Sequence, residues 1–151
     1  MKDGPRTFFI QNEINRKNNK EVIAVAKKVI RMSNAPKYPF SPAIRAGNYI
    51  FVSGQGGFID SQGNEVEGIE EQTKRCLDNI KRILEAAGSS LTDVVKVTVF
   101  LSDVANFAKM NEAYQAYFPE DPPARSTAVT GLVVPAMLVE IECIAYCPQE
   151  V

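Results

Sequence analysis

A chain of 151 residues, 45% hydrophobic and 23% charged, has the size and composition of one ordinary globular domain, with room for a real core and not for two. Its 17 Lys and Arg nearly balance 18 Asp and Glu, and the net charge of -1 argues against a dedicated nucleic-acid binder. Histidine is absent, which excludes Ser-His and Cys-His nucleophile pairs, His-ligated metals and the commonest neutral-pH general base. No apolar run approaches the roughly 18 to 20 residues of a membrane span. The first twenty residues lack the apolar stretch of a secretory signal, so a cytoplasmic setting is expected. Cys76, Cys143 and Cys147 show no disulfide-framework spacing, and Cys143 and Cys147 make a poor metal pair without histidine. Any catalysis falls to carboxylates, Arg, Lys, Tyr, hydroxyls or backbone groups.

Residues 1–20 are polar and aperiodic, with Asn12, Asn15, Asn18 and Asn19 opposing a firm helix, and read as an extension ahead of a domain at 21–151. From Glu21 the chain turns apolar and β-branched, so the second half of EVIAVAKKVIRM is a candidate strand. Three prolines make 33–42 a loop or extended edge. A hairpin follows, with Ala43–Ala46 and Tyr49–Ser53 joined by a Gly47-Asn48 turn, and then a second turn at Asp60–Asn64. Glu67–Ala87 is the clearest helix. Ile69, Cys76, Leu77, Ile80, Ile83 and Leu84 recur at three- and four-residue spacing, with Gly88 as the stop, and the opposite face reads as solvated surface. VVKVTVFL is the strongest strand, its alternation placing Val95, Val97, Val99 and Leu101 on one face. A shorter helix is expected over Phe107–Phe118.

The last part of the chain holds the chemistry. Residues 122–146 contain two strand-like runs and three charges, Arg125, Glu140 and Glu142. Alternation sends Met137, Val139, Ile141, Cys143 and Ala145 to one face and Leu138, Glu140, Glu142, Ile144 and Tyr146 to the other. Two carboxylates thus leave a strand otherwise fit for burial, and buried carboxylates need partners because desolvation disfavours the charge. Arg125 is the nearest cation in sequence. It could be a structural ion pair to Glu140 or Glu142, or a bidentate anchor for a substrate carboxylate, leaving a second carboxylate to activate water. SGQGG at 53–57 lacks the Lys, Ser/Thr and helix of a phosphate loop; its glycines suit close approach of backbone to a ligand. The order of strands, helix, strand, helix and two strands predicts an α+β layer fold with both helices on one sheet face. Strand residues that are apolar on both faces predict that the uncovered face is buried by self-association.

The segments YPFSPAIRAGNYIFVSGQ, DNIKRILEAAGSSLTDVVKVTVFLSDVANFAKMNEAYQAYF and PPARSTAV…LVEIECIA resemble the RidA family, also called the YjgF/YER057c/UK114 family, over roughly residues 28–147. The resemblance implies a chorismate-mutase-like (YjgF-like) α+β protomer and a homotrimer around a central barrel, with three sites in clefts between subunits. It implies an enamine/imine deaminase without cofactor or metal, hydrolysing 2-aminoacrylate-type imino acids to 2-keto acids and ammonia. By this resemblance Arg125 holds the substrate carboxylate and Glu140 positions or activates the attacking water. Ser53, Gly54, Asn111 and the Thr127 carbonyl complete the substrate site. Phe40 stands where founding members carry a tyrosine, so its ring can cover the substrate but donates no hydrogen bond. Glu142 receives no role. A non-catalytic regulatory trimer that binds small carboxylates is the alternative. RNA cleavage, ascribed to some relatives, fits poorly with the missing histidine and absent basic excess.

Overall fold

The computed structural model describes residues 27–33 and 39–148, so the expected extension at 1–20 lies outside the described residues. Six strands form one sheet: β1 (Lys28–Ile30), β2 (Ala43–Ala46), β3 (Tyr49–Gly56), β4 (Val94–Leu101), β5 (Ala124–Val129) and β6 (Val139–Tyr146), in the order β1-β2-β3-β6-β4-β5. Every neighbouring pair is antiparallel except β4 and β5. Two helices, α1 (Ile69–Ala86) and α2 (Phe107–Gln115), complete an α+β fold.

Local sequence explains most of these elements. In the β2–β3 hairpin Gly47 takes φ 58, a left-handed conformation that costs glycine nothing. At Asp60 the Oδ1 atom accepts from the Gln62 and Asn64 amides at 2.8 and 2.9 Å, closing the expected turn. Helix α1 ends in a Schellman motif. Gly88 (φ 75) donates to Glu85 O at 3.0 Å and Ser89 to Leu84 O at 2.9 Å, with Ala87 as the cap. Its orphan Ala87 carbonyl accepts from Arg45, a guanidinium only 6% exposed that also reaches Cys147 O, each at 2.9 Å. Helix α2 stops at Gln115, three residues before the expected Phe118, and the chain continues as tighter turns from Tyr117 to Tyr114 and Phe118 to Gln115.

The sheet buries one face. Ile50 and Val52 of β3, Val97, Val99 and Leu101 of β4, and Val139, Ile141, Cys143 and Ala145 of β6 join Leu77, Ile80 and Leu84 of α1 and Met110 and Tyr114 of α2 in one core. Both helices thus cover the same side, as alternation predicts. One residue departs from it: Val95 is 45% exposed and Val94 is buried in its place. The register between β4 and β6 shifts between Val94 and Lys96, and the extra residue of that bulge turns Val95 outward. Among the described residues no element covers the other sheet face. Tyr49, Phe51 and Tyr146 are each more than two-fifths exposed, and the Tyr49 ring lies 5.2 Å from Tyr146 and 6.4 Å from Phe51. Among the described residues no helix is long and apolar enough to cross a membrane.

Candidate active site

The Glu140 carboxylate is placed by a glycine and a bulge. Strand β3 carries one extra residue between Val52 (opposite Cys143) and Gln55 (opposite Ile141), within the Ser53-Gly54 step. The shift sets bare backbone beside Glu140. A Cβ at Gly54 would stand 1.9 Å from the Glu140 Oε1 atom, so the carboxylate occupies the space a side chain would take. Ser53 is fixed on the other side of the bulge, its hydroxyl donating to Ser41 O at 2.7 Å. Pairing with β2 ends at Val52, and past the Ser53 amide, which donates to Pro42 O at 3.0 Å, the edge of β3 has no paired strand among the described residues.

A cleft of about 620 Å³ opens along that edge, lined by Phe40, Gly54, Met137 and Glu140 among others, with Asn79, Arg82 and Ile83 of α1 on its helical wall. Its volume lies within the usual range of small-molecule sites. Phe40 is 57% exposed at its mouth. The 131–138 loop forms another wall and is held by Gln72, a residue 2% exposed. Its amide donates to Val66 O and Ala136 O at 2.8 and 2.9 Å and accepts from the Leu138 amide at 2.8 Å. A buried amide so satisfied fixes the loop to the helix, and truncating it would orphan the Leu138 N–H.

Arg125 lies elsewhere. It sits half-buried on edge strand β5, in register with Val97, whose side chain enters the core, and so points to the helix-covered side. Its guanidinium donates to Asn111 Oδ1 at 2.7 Å and lies 4.6 Å from the centroid of the Tyr114 ring. Both partners are neutral. Among the described residues the ion pairs are Lys74–Glu71 and Lys109–Glu70, so the pairing of Arg125 with Glu140 or Glu142 offered by sequence order is not formed. The reason is topological: β4 stands between β5 and β6. Thr127 follows two residues along β5, also half-buried, opposite Val99.

The predicted residues therefore fall into two groups. Phe40, Gly54 and Glu140 share the cleft, with Ser53 at its bulge. Arg125 and Asn111 touch each other, with Thr127 further along the strand. Glu142 alternates with the core residues Ile141 and Cys143 and emerges half-buried on the open sheet face, opposite Thr98. Sequence reading passed over Gln72, Arg82 and Asn79. Gln72 lies at the three-to-four-residue spacing of the apolar stripe, which could have marked it as inward-facing. Tyr114 lies on the second helix among its buried residues. Burial pushes its hydroxyl up to about 12, partly offset by the nearby Arg125 charge, and that hydroxyl has no hydrogen-bond partner among the described residues. Cys143 is likewise pushed up to about 12 by burial and then by Glu142, and Cys76 is raised chiefly by burial. Both thiols are core groups held in the protonated form, unsuited to nucleophilic work.

Comparison with known proteins accounts for nearly all of the described fold. A family model described as Endoribonuclease L-PSP matches residues 32–147. A RutC family protein of Pyrococcus abyssi is 52% identical over 125 residues, covering 81% of this chain and 98% of that protein. The 2-iminobutanoate/2-iminopropanoate deaminase of Rattus norvegicus is 39% identical over 125 residues, covering 81% and 91%. Among solved structures, RidA from the Antarctic bacterium Psychrobacter sp. superposes with a TM-score of 0.72 at 39% identity, covering 79% of this chain and 98% of that one. With a cleft bearing the glutamate, an arginine held by neutral partners, and these matches over four-fifths of its length, the chain belongs to the RidA (YjgF/YER057c/UK114) family.

Proposed function

We propose that the protein is a cofactor-independent imine deaminase that works as a homotrimer, with each site formed by the Glu140 cleft of one copy and the Arg125 edge of the next. The observation that carries this reading is the separation within one chain. Glu140 leaves β6 on the side opposite Val139 and Ile141, Arg125 faces the helices, β4 intervenes, and Arg125 does not line the Glu140 cleft. A second copy is the simplest source of the missing half. The exposed aromatic surface of Tyr49, Phe51 and Tyr146 on the open sheet face supports self-association, because apolar area left in water favours burial. Related proteins named as reactive intermediate and 2-iminobutanoate deaminases, at 38 to 42% identity, support the chemistry.

The residues suit that chemistry. An enamine tautomerises to its imine, whose carbon is electrophilic. The Arg125 fork binds the adjacent carboxylate in place of bulk water, keeping its Asn111 contact as a brace. Glu140 accepts a proton from water as the water oxygen bonds to the carbon of the imine in its protonated, iminium form, giving a tetrahedral amino alcohol. Returning that proton to nitrogen makes ammonia the leaving group. The C–N bond breaks, the hydroxyl loses its proton, and a 2-keto acid and ammonium remain. One placed acid/base group supplies roughly 10²- to 10⁴-fold.

The test is release of keto acid and ammonia from an imino acid formed in situ by an amino-acid oxidase. An unchanged rate in Arg125→Ala removes its assigned role. Mixing inactive Arg125→Ala and Glu140→Gln subunits tests the shared site: random assembly restores about a quarter of the sites if two copies contribute, and none if one copy holds both. One observation favours a second reading. Phe40, without a hydroxyl, weakens the polar lining, and saturable binding of 2-oxobutyrate with no turnover of any imine would select a carboxylate-binding regulator.

A further inference from the structure

We propose that Arg82 makes the Glu140 cleft selective for imino acids whose side chain bears a second carboxylate, an inference that rests on the deaminase reading and names its substrate class. Among the described residues, Arg82 and Glu140 are the two charged residues lining the cleft; the other described lining residues are neutral, most of them apolar. The guanidinium is held in place. Its Nη2 donates to Asn79 Oδ1, and the Asn79 amide in turn donates to Gly56 O at 3.1 Å. One amide therefore ties Arg82 to the strand that carries Gly54, so the cation and the catalytic carboxylate are referenced to the same backbone.

No described carboxylate pairs with Arg82. A guanidinium offers five N–H donors in a rigid fork, so the contact to Asn79 leaves donors available for a bidentate grip on an anion. The cleft has room for one. About 620 Å³ is roughly twenty times the ~30 Å³ share of one water molecule, more than a three-carbon imino acid fills. With Arg125 of a neighbouring copy on the α-carboxylate, Arg82 is the cation left among the described lining residues for a carboxylate at the far end of the side chain. A neutral side chain there would gain nothing from it. An acidic one would gain a charge-assisted hydrogen bond, discounted because Arg82 is exposed and screened by salt. The predicted substrates are imines of acidic amino acids, and the predicted products are 2-oxo diacids.

The experiment compares kcat/KM on imines generated in situ from an acidic amino acid and from a neutral one, in wild type, Arg82→Gln and Arg82→Lys. The ratio of the two values is expected to fall about tenfold in Arg82→Gln, chiefly through KM and less at high salt, with partial recovery in Arg82→Lys. An unchanged ratio overturns the inference, whether both activities persist or both fall together. Calorimetric binding of 2-oxoglutarate and 2-oxobutyrate separates this from the deaminase reading. If no imine is hydrolysed, yet 2-oxoglutarate binds preferentially and Arg82→Gln abolishes the preference, the deaminase reading fails and the selectivity stands. Equal binding of the two acids in such a protein overturns both.

Discussion

The two ends of the candidate site are built by opposite means. At the Glu140 end, backbone makes the geometry: a bulge in β3 removes a residue from register, glycine removes the side chain, and the carboxylate fills the vacated space. At the Arg125 end, side chains make it: an amide oxygen and an aromatic face hold a guanidinium without neutralising it. The contrast suits the proposed chemistry, in which a proton-handling carboxylate needs fixed position beside a cleft and an anion anchor must keep its charge available until substrate arrives.

Four experiments probe that contrast. Glu140→Gln keeps the shape and removes the base, and kcat on a simple imine should fall roughly 10²- to 10⁴-fold with Tm nearly constant; steady-state kinetics with a thermal melt decide it. Arg125→Lys keeps the charge and loses the fork, and kcat/KM should drop about 10- to 100-fold, mainly through KM, as expected for a charged hydrogen bond. A purely structural arginine would instead show in the melt.

Two glycines three residues apart then distinguish a functional approach from a packing one. At Gly54 the atom met is the flexible end of Glu140, so Gly54→Ala should displace the carboxylate and cost about tenfold in activity with little change in Tm. At Gly57 an added Cβ lies 2.1 Å from the Gln72 carbonyl oxygen, which is helix backbone. Gly57→Ala should cost about 1–3 kcal/mol and lower Tm by several degrees. If both variants lose stability alike, the Gly54 space is structural after all.

The smallest effect concerns Tyr114, whose ring lies under Arg125 and whose hydroxyl has no hydrogen-bond partner among the described residues. Its folded pKa, pushed up to about 12 by burial, exceeds an unfolded value of about 10. Its contribution is therefore complete below about pH 10 and is lost as pH rises from there through 12. Tyr114→Phe should leave Tm equal or slightly higher at neutral pH, because an unsatisfied polar group is removed, and should flatten the alkaline loss of stability. A Tm drop of several degrees at pH 7 would mean the hydroxyl has a partner.

The helices, the hairpin and the alternation of β6 were legible because each rests on local periodicity and turn chemistry. Glycine at 47 and 88 announced a left-handed residue, and Val139, Ile141 and Cys143 announced a buried face. The bulges were not legible. Val95 reads as core in VVKVTVFL, and only pairing with β6 shows the slipped register that exposes it. The supposed partnership of Arg125 with the β6 carboxylates failed for a similar reason, since neighbours in sequence order are not neighbours in the sheet.

What the sequence by itself determined was the presence of two carboxylates, one candidate anion-binding cation and the elements that carry them, through patterns that act within a few residues. What only the tertiary structure decided was which of them meet. Strand order put β4 between Arg125 and Glu140, a slipped register brought Gly54 beneath Glu140, and helix packing brought Arg82 and Asn79 to the cleft wall. These depend on contacts between residues tens of positions apart, where hydrogen-bond register and core packing, rather than local preference, set the geometry.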